Sequence, residues 1–113
     1  MPVQDLSEEV FQVSLSTEPQ LGGELRTLNS TVRSGDDRDA VIDFACVEML
    51  TSESICDLMI LNKTLHEVGR RLVMYNVPAV IMGIFERTGL DQIFEFAESR
   101  ITALEAVQGQ SEE

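Results

Sequence analysis

The sequence predicts an α/β domain with a mixed four- to five-stranded sheet and about four helices. Apolar runs typical of strands alternate along the chain with segments whose apolar residues recur every three or four positions, the spacing of one helix face. Such alternation is typical of α/β layers whose parallel strands are joined by right-handed crossovers. The chain has 113 residues, which is enough for one domain and too short for two. Because 43% of the residues are hydrophobic, the domain can bury a core.

The N-terminal part predicts a hairpin followed by a helix. Residues 10–16, VFQVSLS, alternate apolar and polar side chains as a half-buried strand does. Before them, PVQDL and the polar turn SEE predict a short edge strand. The acidic loop 34–39, SGDDRD, ends the helix that follows. The apolar stripe of that helix is predicted on Leu21, Leu25, Leu28 and Val32.

The middle of the chain predicts two buried strands separated by a helix. AVIDFACV, residues 40–47, is a continuous β-prone run, as expected for a strand buried on both faces. A helix over roughly residues 52–68 follows, and Gly69 suits the left-handed residue after its end. RLVMYN, residues 71–76, predicts the next strand. The apolar stripe of the helix is predicted on Ile55, Leu58, Leu61, Leu65 and Val68.

The C-terminal third predicts a third helix, a strand and a fourth helix. Asn76 is expected to cap the third helix and Pro78 to occupy its first turn, where its missing N–H costs nothing. Gly89 ends this helix, and QIFEFA, residues 92–97, is the last strand. Residues 108–113 are expected to be a flexible tail, which leaves one domain over residues 1–107. Apolar faces are predicted on Val80, Ile81, Ile84 and Phe85 in the third helix, and on Ile101, Leu104 and Val107 in the fourth.

The charge and the apolar stretches limit the classes of partner. Twenty acidic against eight basic residues give a net charge of −12, which opposes the phosphates of nucleic acids and anionic membranes. A protein with a basic face is a better partner, although the charge can also serve solubility alone. The longest apolar stretch, residues 77–85, is far below the ~20 residues that span a bilayer. Since the N-terminus does not resemble a signal peptide either, the sequence predicts no membrane insertion and a cytoplasmic location.

The sequence gives little support to catalysis or to a bound cofactor. Neither GxGxxG nor GxxxxGK[ST] follows a strand, and no base or oxyanion hole accompanies any serine. Cys46 and Cys56 form neither a CxxC motif nor a metal set with His66, so we expect two buried thiols in a reducing compartment. His66 is expected on a solvated helix edge. The sequence therefore predicts a protein that is not an enzyme and holds no cofactor or metal.

Residues 48–58, EMLTSESICDL, place small hydroxylated residues and an acid where a strand leads into a helix. Ser52 is expected to be the N-cap of this second helix, and Glu53 in the first turn complements the helix dipole. Capping accounts for this composition without any further role.

Several motifs, taken in order and at their spacing, resemble those of a STAS domain of the anti-sigma factor antagonist type. The resemblance covers about residues 40–107, whereas the first forty residues fit loosely, since STEPQL carries no aspartate where the family has Gly-Glu-Leu-Asp. It implies a single STAS-like domain. The matching positions are the strand Val41-Ile42-Asp43-Phe44, the apolar pair Met49-Leu50, then Gly69, Arg71 and Leu72, and the helix end Thr88-Gly89-Leu90.

The resemblance also implies a regulatory position that this chain has changed. The family's Asp-Ser-Ser-Gly falls on residues 51–54, and its second serine, which a kinase-type anti-sigma factor phosphorylates, is Glu53 here. Either Glu53 mimics the phosphorylated state in part, with one negative charge instead of nearly two, or control lies elsewhere. Ser52 and Ser54 remain candidate acceptors.

The function that the resemblance implies is a non-catalytic, protein-binding regulator similar to an anti-sigma factor antagonist. The expected partner is an anti-sigma factor or kinase-like regulatory protein. The alternative is a STAS-type structural subunit of an ABC transporter complex. The oligomeric state stays open, and nothing in the residues supports nucleotide binding. Partner contacts are expected at Thr51, Ser52, Glu53 and Ser54, and at Cys56 and Asp57, which we expect to be exposed.

Overall fold

The structure, a computed structural model, describes residues 3–7, 10–18, 20–35 and 38–108. One sheet runs through these residues in the order β1-β2-β3-β4-β5, with β1 antiparallel to β2 and the remaining neighbours parallel. The predicted α/β class, with its N-terminal hairpin and mixed sheet, is confirmed. The strands are β1 Val3–Ser7, β2 Val10–Ser14, β3 Asp39–Asp43, β4 Leu72–Tyr75 and β5 Glu95–Ala97.

The helices cover the two faces of the sheet unequally. Ala40 and Ile42 of β3 join a large apolar cluster with residues of the first three helices, whereas Val41 joins a small cluster under the fourth helix. Side chains alternate between faces along a strand, so the three central residues of β3, 40–42, are all apolar. This explains the continuous apolar run in the sequence. The helices are α1 Gln20–Arg33, α2 Ser52–Glu67, α3 Ala79–Thr88 and α4 Arg100–Gln108.

The predicted strand at 40–47 is shorter in the structure and ends at Asp43. The Asp43 Oδ1 atom accepts a hydrogen bond from the Ala45 amide at 2.9 Å, and the Val47 amide donates to the Phe44 carbonyl at 3.0 Å. These bonds turn the chain out of the sheet. The last strand is also shorter than predicted, because a 3-10 turn, Leu90–Gln92, occupies the start of its range.

Both expected glycine positions at helix ends are confirmed. Gly69 follows α2 with a φ of 78°, and Gly89 follows α3 with a φ of 79°. The predicted cap of α3 is wrong, because the N-cap is Pro78 and no side chain caps the helix. Asn76 instead has a φ of 57° and donates from Nδ2 to the Asp43 Oδ1 atom at 3.3 Å.

Two predicted apolar positions lie in solvent. Val80 in α3 is 68% exposed and Ile101 in α4 is 67% exposed, so neither belongs to a buried face. α4 buries Ala103 and Val107, which are four residues apart, and Leu104 and Ala106 pack partly buried against the same cluster. The stripes of α1 and α2 are buried as predicted at Leu21, Leu25, Leu28, Val32, Leu58, Leu61 and Leu65, whereas Ile55 is half-buried and Val68 exposed.

The expected C-terminal tail lies outside the described residues except for Gln108, which ends α4. Residues 8–9, part of the predicted hairpin turn, and residues 36–37 of the acidic loop lie outside them too. Within the described ranges, no helix is both long and apolar enough to cross a membrane.

Candidate functional site at the start of α2

Helix α2 begins just beyond the carboxyl end of β3, and its N-cap is Thr51. Thr51 is extended, with φ −93° and ψ 164°, and its Oγ1 atom accepts a hydrogen bond from the Ser54 amide at 3.0 Å. The prediction that Ser52 is the cap is wrong by one residue, since Ser52 is the first helical residue. Threonine makes the same capping bond as serine, to the amide three residues ahead.

Ser54 lies behind this helix start and not on the surface. It is 1% exposed, and its hydroxyl donates to a carboxylate oxygen of Glu18, in the loop after β2. The Thr51 Oγ1 atom lies 3.1 Å from Ser54 Oγ and 3.3 Å from Glu18 Oε2, and its single proton can serve either. The burial of Ser54 argues against its expected role as a phosphate acceptor or partner contact.

Glu18 is a residue of this site that the sequence does not reveal. It lies 36 positions before Ser54, in the STEPQL segment that lacks the aspartate of the resembling family. A carboxylate therefore reaches the start of α2 from this segment after all. A second bond joins the same two loops, since the Glu48 amide donates to Thr17 Oγ1 at 3.3 Å.

Ser52 and Glu53 lie in solvent on the first turn of α2. The Glu53 carboxylate has no hydrogen bond or ion pair with any described residue, so the folded chain leaves its charge available. Free amides and the helix dipole at this position favour a negative charge. Glu53 is therefore stable where it is and open to another molecule.

The two remaining predicted contacts behave differently. Cys56 is exposed as expected, whereas Asp57 is only half-buried and turns towards α1. The Asp57 carbonyl accepts a hydrogen bond from Asn29 Nδ2 at 3.1 Å, and its Oδ2 atom is buried without a partner among the described residues. Asp57 thus joins two helices of the fold. Its expected exposure is not observed.

Cys46 and Cys56 are both exposed and unpaired, so the prediction of two buried thiols is wrong, and for Cys56 the exposure expected of a partner contact is the one observed. Cys46 lies in the turn that leaves β3, and Cys56 lies on the outer side of α2, so neither position faces the core. His66 is exposed, as expected, near the other end of α2, about 20 Å from Glu53 at the rise of an α-helix.

The accessible residues around the start of α2 are mostly acidic or hydroxylated, with one large apolar member, Met49, which is 56% exposed. In the described part of the chain, no group of three or more His, Cys, Asp or Glu side chains could hold a metal ion. The chemistry that the surface offers is charge attraction, hydrogen bonding and apolar contact. We call this surface the α2 patch. Its members are Glu18, Glu48, Met49, Thr51, Ser52, Glu53 and Cys56.

The sequence matches no protein-family model and has no significant match among curated proteins. Solved structures do match. A STAS domain protein from Planctomyces limnophilus is similar at a TM-score of 0.78 and 19% identity, over 93% of this chain and 95% of that one. The anti-sigma factor antagonist SpoIIAA, in its unphosphorylated form, is similar at a TM-score of 0.79 and 14% identity, over 95% of each chain.

A third similar structure is a variant of RsbS from Moorella thermoacetica in which one serine is replaced by glutamate. Its TM-score is 0.80 at 14% identity, over 99% of this chain and 97% of the other. At such identities the likeness is one of fold, and it extends over nearly the whole chain, including the first forty residues that match the motifs only loosely. The resemblance predicted from the motifs is confirmed at this level, and the fold of the chain is that of a STAS domain.

Proposed function

We propose that this protein is a non-catalytic regulator that binds an anti-sigma factor or a kinase-like regulatory protein through the α2 patch. Two of the similar structures are anti-sigma factor antagonists by name, which supports a regulatory binding role. The observation that carries the proposal is the exposed, unpartnered carboxylate of Glu53 on the first turn of α2.

The surroundings of Glu53 favour a basic partner. Glu18 and Glu48 add two carboxylates from the adjoining loops, and the whole chain has a net charge of −12. Complementary charge speeds encounter and excludes wrong partners more than it adds affinity. Met49 supplies an apolar contact of the kind found at the centre of interfaces. The proposed partner face therefore carries lysine or arginine around an apolar pocket.

Ser54 has a different role in this proposal. Its hydroxyl is held by Glu18 beneath the patch, so it fixes the helix start and does not touch the partner. Among the candidate acceptors, Ser52 is the exposed one. A permanent carboxylate at position 53 provides about one negative charge where a phosphate provides nearly two, and it cannot be removed.

The proposal is tested by capturing partners from an extract of the native cell with immobilised protein. Wild type is compared with Glu53→Arg and with Glu105→Arg, a matched control on exposed Glu105 of α4. We expect a kinase-like regulator to be retained by wild type and by the control, and lost with Glu53→Arg. Equal loss in both variants would mean a general charge effect, and retention by both would place the interface away from α2.

The role of Glu53 is then measured by titration of the purified partner. If Glu53 mimics a phosphate, Glu53→Ser tightens binding to a kinase-type partner, which then phosphorylates the new serine. If the partner carries a basic group opposite Glu53, the same change weakens binding by about 1–3 kcal/mol through loss of a charge-assisted hydrogen bond. Glu105→Ser is the control. An unchanged affinity would remove Glu53 from the interface.

A further inference from the structure

A polar cleft of about 320 Å³ opens on the α4 face of the sheet, at the carboxyl ends of β2, β3 and β4. Gln12, Asp43, Tyr75, Asn76 and Arg100 line it. In α/β sheets, small molecules bind outside the carboxyl ends of the strands. The cleft and the α2 patch share no residue, so the proposed function does not account for the cleft.

Two largely buried side chains bring polar atoms to this cleft that make no hydrogen bond within the described chain and are accessible to solvent. Tyr75 is only 4% exposed, yet its hydroxyl makes no hydrogen bond to any described residue. Gln12 is 9% exposed, and its Oε1 atom has one long contact, 3.5 Å from Arg100 Nη1, while its Nε2 donors have none within the described chain. Because both groups open onto the cleft, a ligand there can offer them the acceptors that water otherwise provides.

The cleft also holds two opposite charges that do not pair with each other. Asp43 Oδ1 is used by the Ala45 amide and by Asn76, whereas Oδ2 accepts no hydrogen bond from a described residue. Burial and the Asp43 carboxylate raise the pKa of Tyr75 while Arg100 lowers it, so both charges act on the Tyr75 hydroxyl. The cleft therefore offers a phenol, a carboxylate and a guanidinium to the same ligand.

We propose that this cleft binds a small zwitterion of the free amino-acid type. Its carboxylate accepts hydrogen bonds from Arg100, the Tyr75 hydroxyl and Gln12 Nε2, and its ammonium group lies against Asp43 Oδ2. Asp43 and the net charge of −12 oppose a ligand that is only anionic, and Arg100 opposes one that is only cationic. The volume lies at the lower end of the range for ligand pockets, which suits a small molecule.

The chain offers a direct optical probe of this cleft, since Tyr75 is its one tyrosine and it has no tryptophan. The experiment follows tyrosine emission of the purified full chain during titration with each standard amino acid, with calorimetry on any that respond. We expect saturable binding of at least one amino acid. Two matched compounds serve as controls, the acid without the amino group and the amine without the carboxylate. Each should bind more weakly than the amino acid by about tenfold or more.

Two conservative variants locate the binding. Tyr75→Phe removes only the hydroxyl and Arg100→Gln only the cation, and each should weaken binding about tenfold by calorimetry. Arg87→Gln, at an exposed position of α3, should have no effect. Circular dichroism verifies that each variant is folded. Absence of saturable binding to every amino acid, equal binding of the matched acid, or unchanged binding in both cleft variants would overturn the proposal.

Discussion

The two faces of the sheet are built in opposite ways. On one face α1, α2 and α3 enclose an apolar cluster in which Phe85 packs edge-on against Phe44 and Phe94, with ring centroids 6.3 and 5.5 Å apart. On the other face α4 alone covers a small cluster, and the sheet beyond it ends in the polar cleft. We infer that the closed face provides most of the stability and that the open face leaves polar groups available to a ligand.

Polar contacts also fasten α4 to the sheet. The Arg71 guanidinium binds the Glu95 carboxylate and donates to the Ala106 carbonyl, which fastens the end of α4 to β4 and β5. Hydrogen bonding to Glu95 is the main reason that the pKa of Arg71 is raised. The ion pair is partly exposed and therefore contributes little to stability by itself. Together with the bond to the Ala106 carbonyl, it joins three elements on the open face.

The comparison is tested most severely by truncating one core residue on each face. Leu61→Ala, at a fully buried position of α2, should lower the free energy of unfolding by about 2–5 kcal/mol through lost burial and a new cavity. Val107→Ala, on the inner side of α4, should cost about 1–2 kcal/mol. Denaturant unfolding measures both. Equal losses would show that the open face is as important for stability as the closed face.

A smaller effect is expected at the start of α2, where the closed face meets the α2 patch. Thr51→Ala removes the side-chain cap and should cost about 1 kcal/mol in the same assay. Ser52→Ala, one residue later and exposed, should change stability by less than about 0.5 kcal/mol. A larger loss of stability with Ser52→Ala than with Thr51→Ala would show that Ser52 is the cap.

The smallest effect concerns Tyr75 on the open face and depends on pH. Its raised pKa means that the folded chain keeps the phenolic proton longer than the unfolded chain. Stability should therefore be unaffected below about pH 10 and fall as the pH rises from there towards the folded pKa. Absorbance of the tyrosinate follows this one tyrosine directly. Arg100→Gln should raise the pKa and Asp43→Asn should lower it, and shifts of the opposite sign would contradict the charges assigned to the cleft.

Local patterns in the sequence predict the helices well where burial is strong. The stripes of α1 and α2, and the left-handed glycines that end α2 and α3, follow from periodicity and backbone sterics, which depend on neighbours three or four residues away. Val80 and Ile101 fit the same patterns and are exposed. Periodicity shows which residues share a face and not how much of that face is covered.

The sequence by itself determined the α/β class, the order of the elements and the position of Glu53 on the first turn of a helix, because each follows from residues close together in the chain. Tertiary structure alone decided that Glu18 reaches Ser54, that Asp57 faces α1, and that Gln12 and Arg100 meet 88 positions apart. No local pattern predicts such contacts, because they depend on how the sheet brings distant loops to one edge.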